Sequence, residues 1–322
     1  GRLVANLIGF AFVPLILACA YAVFDGTTEK RDRARAFFLV LLGCLLAVFA
    51  QPNLVFSVFA LFIPYGAYRV WNVVSDHATS HVRLLQFCGM GAFFVIIIVV
   101  WAFCLNASFM QSVVNFDWPA LSTIPQAFVD TLFVCSSLTP ISPVLALFLV
   151  IGIVGTFKER NHLWITVLFI FVTIMYVACV ATNGSLDRIL TGFWYTDRFR
   201  ISALLAIVQT LLIAFGLAKT YSFIRKRKNY KRPIWIALTV VLFVLLLFPS
   251  FTLRGLTIVD TPFGHLRHEL HSLYRSDQAD NEAVFSQEEQ DFVDQARDLV
   301  GNARVYNTPK DGSLFAYQYN GL

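Results

Sequence analysis

Eight apolar runs separated by short polar breaks dominate the chain. They cover roughly 3–23, 37–50, 54–71, 85–105, 143–157, 163–181, 199–219 and 234–250. A helix needs about 20 apolar residues to cross the ~30 Å hydrocarbon core, and most runs come near that length. The second and fifth are short. A span surrounded by lipid and other helices can be apolar on every side, so helical periodicity marks few boundaries here. The stretch 128–142, ahead of the fifth run, reads as hugging the membrane surface. The pattern predicts a mainly α fold: a polytopic transmembrane helix bundle of about eight spans over residues 1–250.

The remaining segment, 251–322, changes character near Asp277. Ser286-Gln287-Glu288-Glu289 is a capping box that opens a helix over 287–299. Phe292, Ala296 and Val300 give that helix an apolar stripe, and Gly301-Asn302 ends it. Arg304 to Tyr306 and Leu314 to Tyr319 read as strands around the turn Pro309-Lys310-Asp311-Gly312. The expectation is the start of a small extracytoplasmic α/β domain. The chain opens at Gly1 without Met, close to an apolar run, and closes in strand-like sequence. We therefore expect a fragment of a longer protein, with this domain truncated.

Composition agrees with a membrane region. Hydrophobic residues make up 57% of the 322 and charged residues 14%, against about a quarter charged in a typical soluble domain. Charge also orients the bundle. Fifteen of the 25 basic residues lie in alternate loops: 24–36, Arg69 with Arg83, Lys158 with Arg160, and 219–233. The loops between them hold only Arg188, Arg198 and Arg200. The positive-inside rule puts the basic set in the cytoplasm and the tail outside a plasma membrane. The basic loop 219–233 is explained by that topology and by anionic lipid, not by nucleic acid.

The six cysteines all lie in or beside apolar runs and form no C-x-x-C pair. They read as small hydrophobes, not as disulfides or zinc ligands. His77 and His81 beside Asp76, and His265, His268 and His271 beside Glu269, have spacings that a metal can use but lack a convincing full ligand set. No metal site is assigned. No cofactor is indicated either, although a divalent ion remains compatible with the chemistry below.

Candidate chemistry concentrates in the loop 182–200, which carries Trp194, Tyr195, Asp197, Arg198 and Arg200. Arginine forks at the mouth of a span can grip a phosphate or pyrophosphate. Asp197 can hold an arginine, bind a metal or act as a base. The plainer alternative is an aromatic belt with snorkelling arginines. Asp117, in the long loop 106–142, is a second candidate acid or base, with a solvated loop charge as its plain alternative. Gln51-Pro52-Asn53 reads first as a tight helix-to-helix turn, and otherwise as a polar substrate contact. Asn106-Ala107-Ser108 and Asn183-Gly184-Ser185 match the glycosylation sequon. Almost no acidic residue lies within a run and no internal repeat is visible. Both absences weigh against an ion-coupled transporter.

Three segments carry a family resemblance. Gln51-Pro52-Asn53, leading into an apolar span, resembles the “HPN” segment of an actinobacterial membrane family of unknown function. Gly192 to Arg200 resembles its “WY-x-D-x-x-R” segment, and Asn307 to Tyr317 its “N-x-P-x-DGS-x-x-Y” segment. They occur in the family's order between about 37 and 322. Gln51 stands where that family often has His. The family in turn is similar to type-C glycosyltransferases, which use a polyprenyl-phosphate sugar donor at the outer membrane face. That resemblance implies a bacterial cell-envelope glycosyltransferase, or its C-terminal part, with a lipid-linked sugar and a glycan acceptor as partners. Trp194, Tyr195, Asp197 and Arg200 would line the lipid-phosphate site, with Arg198 beside them. The family's catalytic acid in a first outer loop has no equivalent here. The alternatives are a transporter or flippase of a lipid-linked precursor, and a non-catalytic membrane scaffold.

Overall fold

A computed structural model of the chain describes residues 2–25, 28–77, 81–116, 118–136, 140–226, 232–247, 250–253, 256–260, 264, 287–301, 303 and 319–320. By its contacts the chain divides into two compact units, Gly1–Lys231 and Arg232–Leu322.

The first unit is helical. Its elements are α1 (Arg2–Phe24), α2 (Lys30–Ala50), α3 (Asn53–His77), α4 (Val82–Asn106), α5 (Gln111–Val114), α6 (Ile124–Leu132), α7 (Pro143–Lys158), α8 (Leu163–Ala181), α9 (Ser185–Thr191) and α10 (Arg198–Arg225). Single 3₁₀ turns occupy Ser108–Met110, Arg160–His162 and Gly192–Trp194. The seven apolar runs in this unit are all helices, some of which extend up to seven residues beyond the run. Five helices among the described residues are long and apolar enough to cross a membrane: Lys30–Ala50, Asn53–Ser75, Val82–Asn106, Arg160–Ala181 and Arg198–Arg225. Gly9–Phe24 and Pro143–Lys158 are apolar but shorter. Large apolar side chains face outward along these helices, with Phe49 81% and Phe103 74% exposed. An exposed apolar surface of that extent belongs in lipid. The chain is a membrane-embedded helical protein.

Residues 128–132, the first part of the stretch expected to hug the membrane, lie in α6. Thr123 caps that helix by accepting from the Gln126 amide, with Pro125 in its first turn. Inside the bundle α3 is the hub, packing on α1, α2, α4 and α8. A second set is built on α10, which packs on α7 and α8. The α7–α10 crossing is close because it is made by glycine. A Cβ on Gly152 would collide with the Leu212 carbonyl, and one on Gly216 with the Phe148 carbonyl. Without water to expel, membrane helices associate through this kind of close packing. Polar glue is also present. The hydroxyls of Thr156 and Thr166 bond at 2.6 Å between α7 and α8, and the Gln209 amide donates to the Thr131 carbonyl at 2.8 Å. All six cysteines are free.

The second unit contains α11 (Arg232–Leu247), β1 (Ser250–Leu253), β2 (Leu256–Asp260) and α12 (Gln287–Val300). The eighth apolar run is helical through Leu247, and its last residue, Ser250, already belongs to β1. β1 and β2 then form an antiparallel pair in which Ser250 faces Asp260. The expected helix at 287–299 is α12, and Gly301 ends it at φ +59°. Its stripe residue Phe292 is exposed. The expected strands at 304–306 and 314–318 lie outside the described residues, and Tyr319 is helical where strand is expected. Asn320 docks on α12 through its amide, which donates to Asp294 Oδ1 at 2.8 Å.

Candidate functional site

The first turns of α3, just after the corner Gln51-Pro52-Asn53, meet the segment Gly192–Trp194 at one end of the first unit. α2 ends at Ala50 and α3 starts at Asn53, so Pro52 occupies the tight turn between them. One turn into α3, the Ser57 hydroxyl donates to the Asn53 carbonyl at 3.3 Å. The same hydroxyl accepts from the Trp194 indole at 2.9 Å. Beside this link the rings of Phe56 and Phe193 stack in parallel, 4.1 Å apart. Trp101 of α4 packs edge-on against Phe193 and donates its indole N–H to the Ile189 carbonyl at 2.8 Å.

Trp194 is thus a core residue with no exposed surface, not a side chain at the headgroup level. Beyond it the backbone makes an uncommon move. Tyr195 and Thr196 are both left-handed, at φ 64° and 48°, with no glycine to ease the turn. A β-branched residue there is a genuine outlier, and each such residue costs about 1–3 kcal/mol unless its surroundings force it. Here they do. Tyr195 N–H donates to the Gly192 carbonyl and Thr196 N–H to the Thr191 carbonyl. The Thr196 carbonyl accepts from the Cys179 thiol at 3.2 Å. Its hydroxyl donates to the Phe116 carbonyl and accepts from the Trp118 amide, both at 3.2 Å.

The strained turn aims the start of α10. Asp197 is its N-cap, with Oδ1 accepting from the Phe199 amide at 2.9 Å. Asp197 Oδ2 faces Arg200 Nε at 3.2 Å. The Arg200 guanidinium lies over the Tyr195 ring, 4.6 Å from its centre. Tyr195, Asp197 and Arg200 therefore form one unit in which the tyrosine face and the carboxylate both hold the guanidinium. Arg198 is not part of it. Two residues apart on a helix, the arginines point about 200° from each other. Arg198 lies over Phe199 and lines a small crevice with Trp118, Pro119 and Asp197.

Several polar atoms at this end are buried without a hydrogen-bond partner among the described residues. They are both amide atoms of Asn53, Oε1 of Gln51 and Nη1 of Arg200. Asn53 is 5% exposed. Buried polar atoms are rarely left unpaired, so such a group calls for an explanation. Asp117 lies outside the described residues, as do His265, His268, His271 and the segment 307–317. Among the described residues no three His, Cys, Asp or Glu side chains gather as metal ligands.

Residues 1–322 match a family described as a family of unknown function, DUF6541. The chain belongs to that family. No curated protein and no solved structure matches it. Within this DUF6541 chain, sequence reasoning passed over Ser57 and Thr196, the two hydroxyls that tie the site together. Neither stands out in sequence, because Ser57 reads as one small residue in an apolar run and Thr196 as one more loop polar.

Proposed function

We propose that this end of the bundle is the outer-face site of a cell-envelope glycosyltransferase that takes a polyprenyl-phosphate sugar as donor. In this reading the bundle has eight spans in a bacterial plasma membrane, the basic loops are cytoplasmic, and the tail 251–322 is an extracytoplasmic α/β domain. One observation carries the reading: the Ser57–Trp194 hydrogen bond ties the first turns of α3, which open at Asn53 with its unpaired carboxamide, to the segment that carries the braced Arg200. An arginine suits a phosphate. A carboxamide with both ends open suits a hydroxyl, which both donates and accepts.

In the reaction, an acceptor hydroxyl oxygen attacks the anomeric carbon and its proton passes to a carboxylate. The bond from that carbon to the phosphate oxygen breaks, and the lipid phosphate leaves with the electron pair. Arg200 neutralises the charge that develops on it. Asp197 uses one oxygen on the helix cap and the other on Arg200. It therefore serves as the positioning group, and the base is Asp117 or an acid supplied from outside this chain.

The test is sugar transfer in membranes containing the protein, from a labelled polyprenyl-phosphate donor to a glycan acceptor. Arg200→Ala is expected to lose at least a hundredfold in transfer and Asn53→Ala at least tenfold, both at wild-type expression. Unchanged transfer in both folded variants removes the site. Movement of labelled lipid across vesicles without sugar transfer replaces the reading with a flippase.

A further inference from the structure

A lateral groove of about 980 Å³ lies between α3, α4 and α8. That volume is at the upper end of the range for small-molecule sites, ~300–1,000 Å³. α4 and α8 both pack on α3, and the gap between them is the groove. Along α4 it runs from Met90 to Asn106, a length of about 24 Å at 1.5 Å per residue. Half of a full bilayer, headgroups included, is roughly 20–22 Å. The groove is therefore as long as one lipid molecule.

Its two ends differ. At one end Ile189 and Leu190 of α9 close it, beside Leu105 and Asn106 of α4. The Asn106 amide is occupied by the Ala102 carbonyl. At the other end stand Arg160, Asn161, Asn72 and Trp71. Among the described residues, Arg160 is the only charged one in the lining. The neighbouring carboxylate, Glu159, is engaged by Lys219 and faced by His162, so among the described residues the Arg160 charge stays available. A guanidinium flanked by carboxamides and an indole at the membrane boundary is a receptor for a lipid phosphate. The apolar middle, with Phe94 and Phe171 among its walls, is fit for hydrocarbon and gives a polar headgroup no path across.

We infer that this groove is a binding site for one anionic phospholipid from the leaflet that faces the basic loops. The headgroup sits at Arg160 and the chains lie along α4. The headgroup end at Arg160 is apart from the Arg200 site, and the binding does not depend on glycosyl transfer.

The experiment is native mass spectrometry of the intact chain extracted from membranes made with equal phosphatidylglycerol and phosphatidylcholine. The wild type should retain one phosphatidylglycerol, at least tenfold over phosphatidylcholine. Arg160→Gln should bring that ratio close to one. Ala102→Trp, which fills the groove from α4, should abolish retention while leaving the helical circular-dichroism melt unchanged. Should that variant fail to fold, Ala67→Phe fills the same groove from α3. Equal retention of the two lipids by the wild type overturns the inference. So does a preference that survives Arg160→Gln, or retention that survives a folded groove-filling variant.

Discussion

The Trp194 indole and the Ser57 hydroxyl bond at 2.9 Å across 137 positions of sequence. Both residues are fully buried, so neither has water to fall back on. Ser57→Ala leaves the indole N–H unpaired, and a buried unpaired donor costs about 1–3 kcal/mol. Trp194→Phe removes the donor together with some packing. If the bond joins the two motifs, the double variant will be less destabilised than the sum of the singles, by at least about 0.5 kcal/mol. Unfolding in detergent, followed by circular dichroism, measures all three. Strict additivity excludes the coupling.

Thr196 holds a left-handed turn and pins Phe116 and Trp118 to it. Thr196→Val keeps the shape and deletes the hydroxyl. It is expected to lower stability by about 1–3 kcal/mol and to speed hydrogen exchange at the Trp118 amide. Thr196→Gly removes the φ strain as well as the hydroxyl, so it should be destabilised less than the valine variant. A glycine variant less stable than the valine one would show that the side chain's packing outweighs the backbone strain at this turn.

The spans were legible because an apolar run of bilayer length has few alternatives to a helix. The run 85–105 and the helix Val82–Asn106 agree within three residues or fewer at each end. The site was legible in content but not in form. Tryptophan favours both interfaces and cores, so nothing local distinguishes Trp194 inside the bundle from Trp194 at the headgroups. The turn at Tyr195-Thr196 lacks glycine, the usual sign of positive φ. The hairpin Ser250–Asp260 was hidden for another reason. Its first strand follows an apolar run without a change of polarity, and hydropathy alone does not separate a buried strand from the end of a span.

At the α7–α10 crossing, Gly216 admits no side chain, because its Cβ would meet the Phe148 carbonyl. Backbone cannot swing aside as a flexible side chain can. Gly216→Val is expected to push the helices apart and destabilise the fold by about 3 kcal/mol or more. Gly91, whose Cβ would meet nothing within 4 Å, is the control. Gly91→Ala should be neutral or slightly stabilising, since alanine is the better helix former. Similar losses of monodisperse protein in both variants would refute a packing role for Gly216.

Glu159 joins the end of α7 to α10. The Lys219 ammonium bonds its carboxylate, and His162 faces it at 3.7 Å. The hydrogen bond from Lys219 is the main cause holding the Glu159 carboxyl below its usual value of 4.5. A carboxyl whose pKa is lower folded than unfolded binds fewer protons in the folded state. Its contribution is therefore fully present above the unfolded value and is lost as pH falls through the folded one. The stability of the wild type should decline below about pH 4.5, and this one contribution should be absent in Glu159→Gln. Because Glu159 is solvent-exposed, the difference should be small and should shrink further in high salt. Melting temperatures of both proteins between pH 6 and pH 3, at low and high salt, give the comparison. Parallel acid limbs at low salt would mean that the Lys219 contact does not stabilise the crossing.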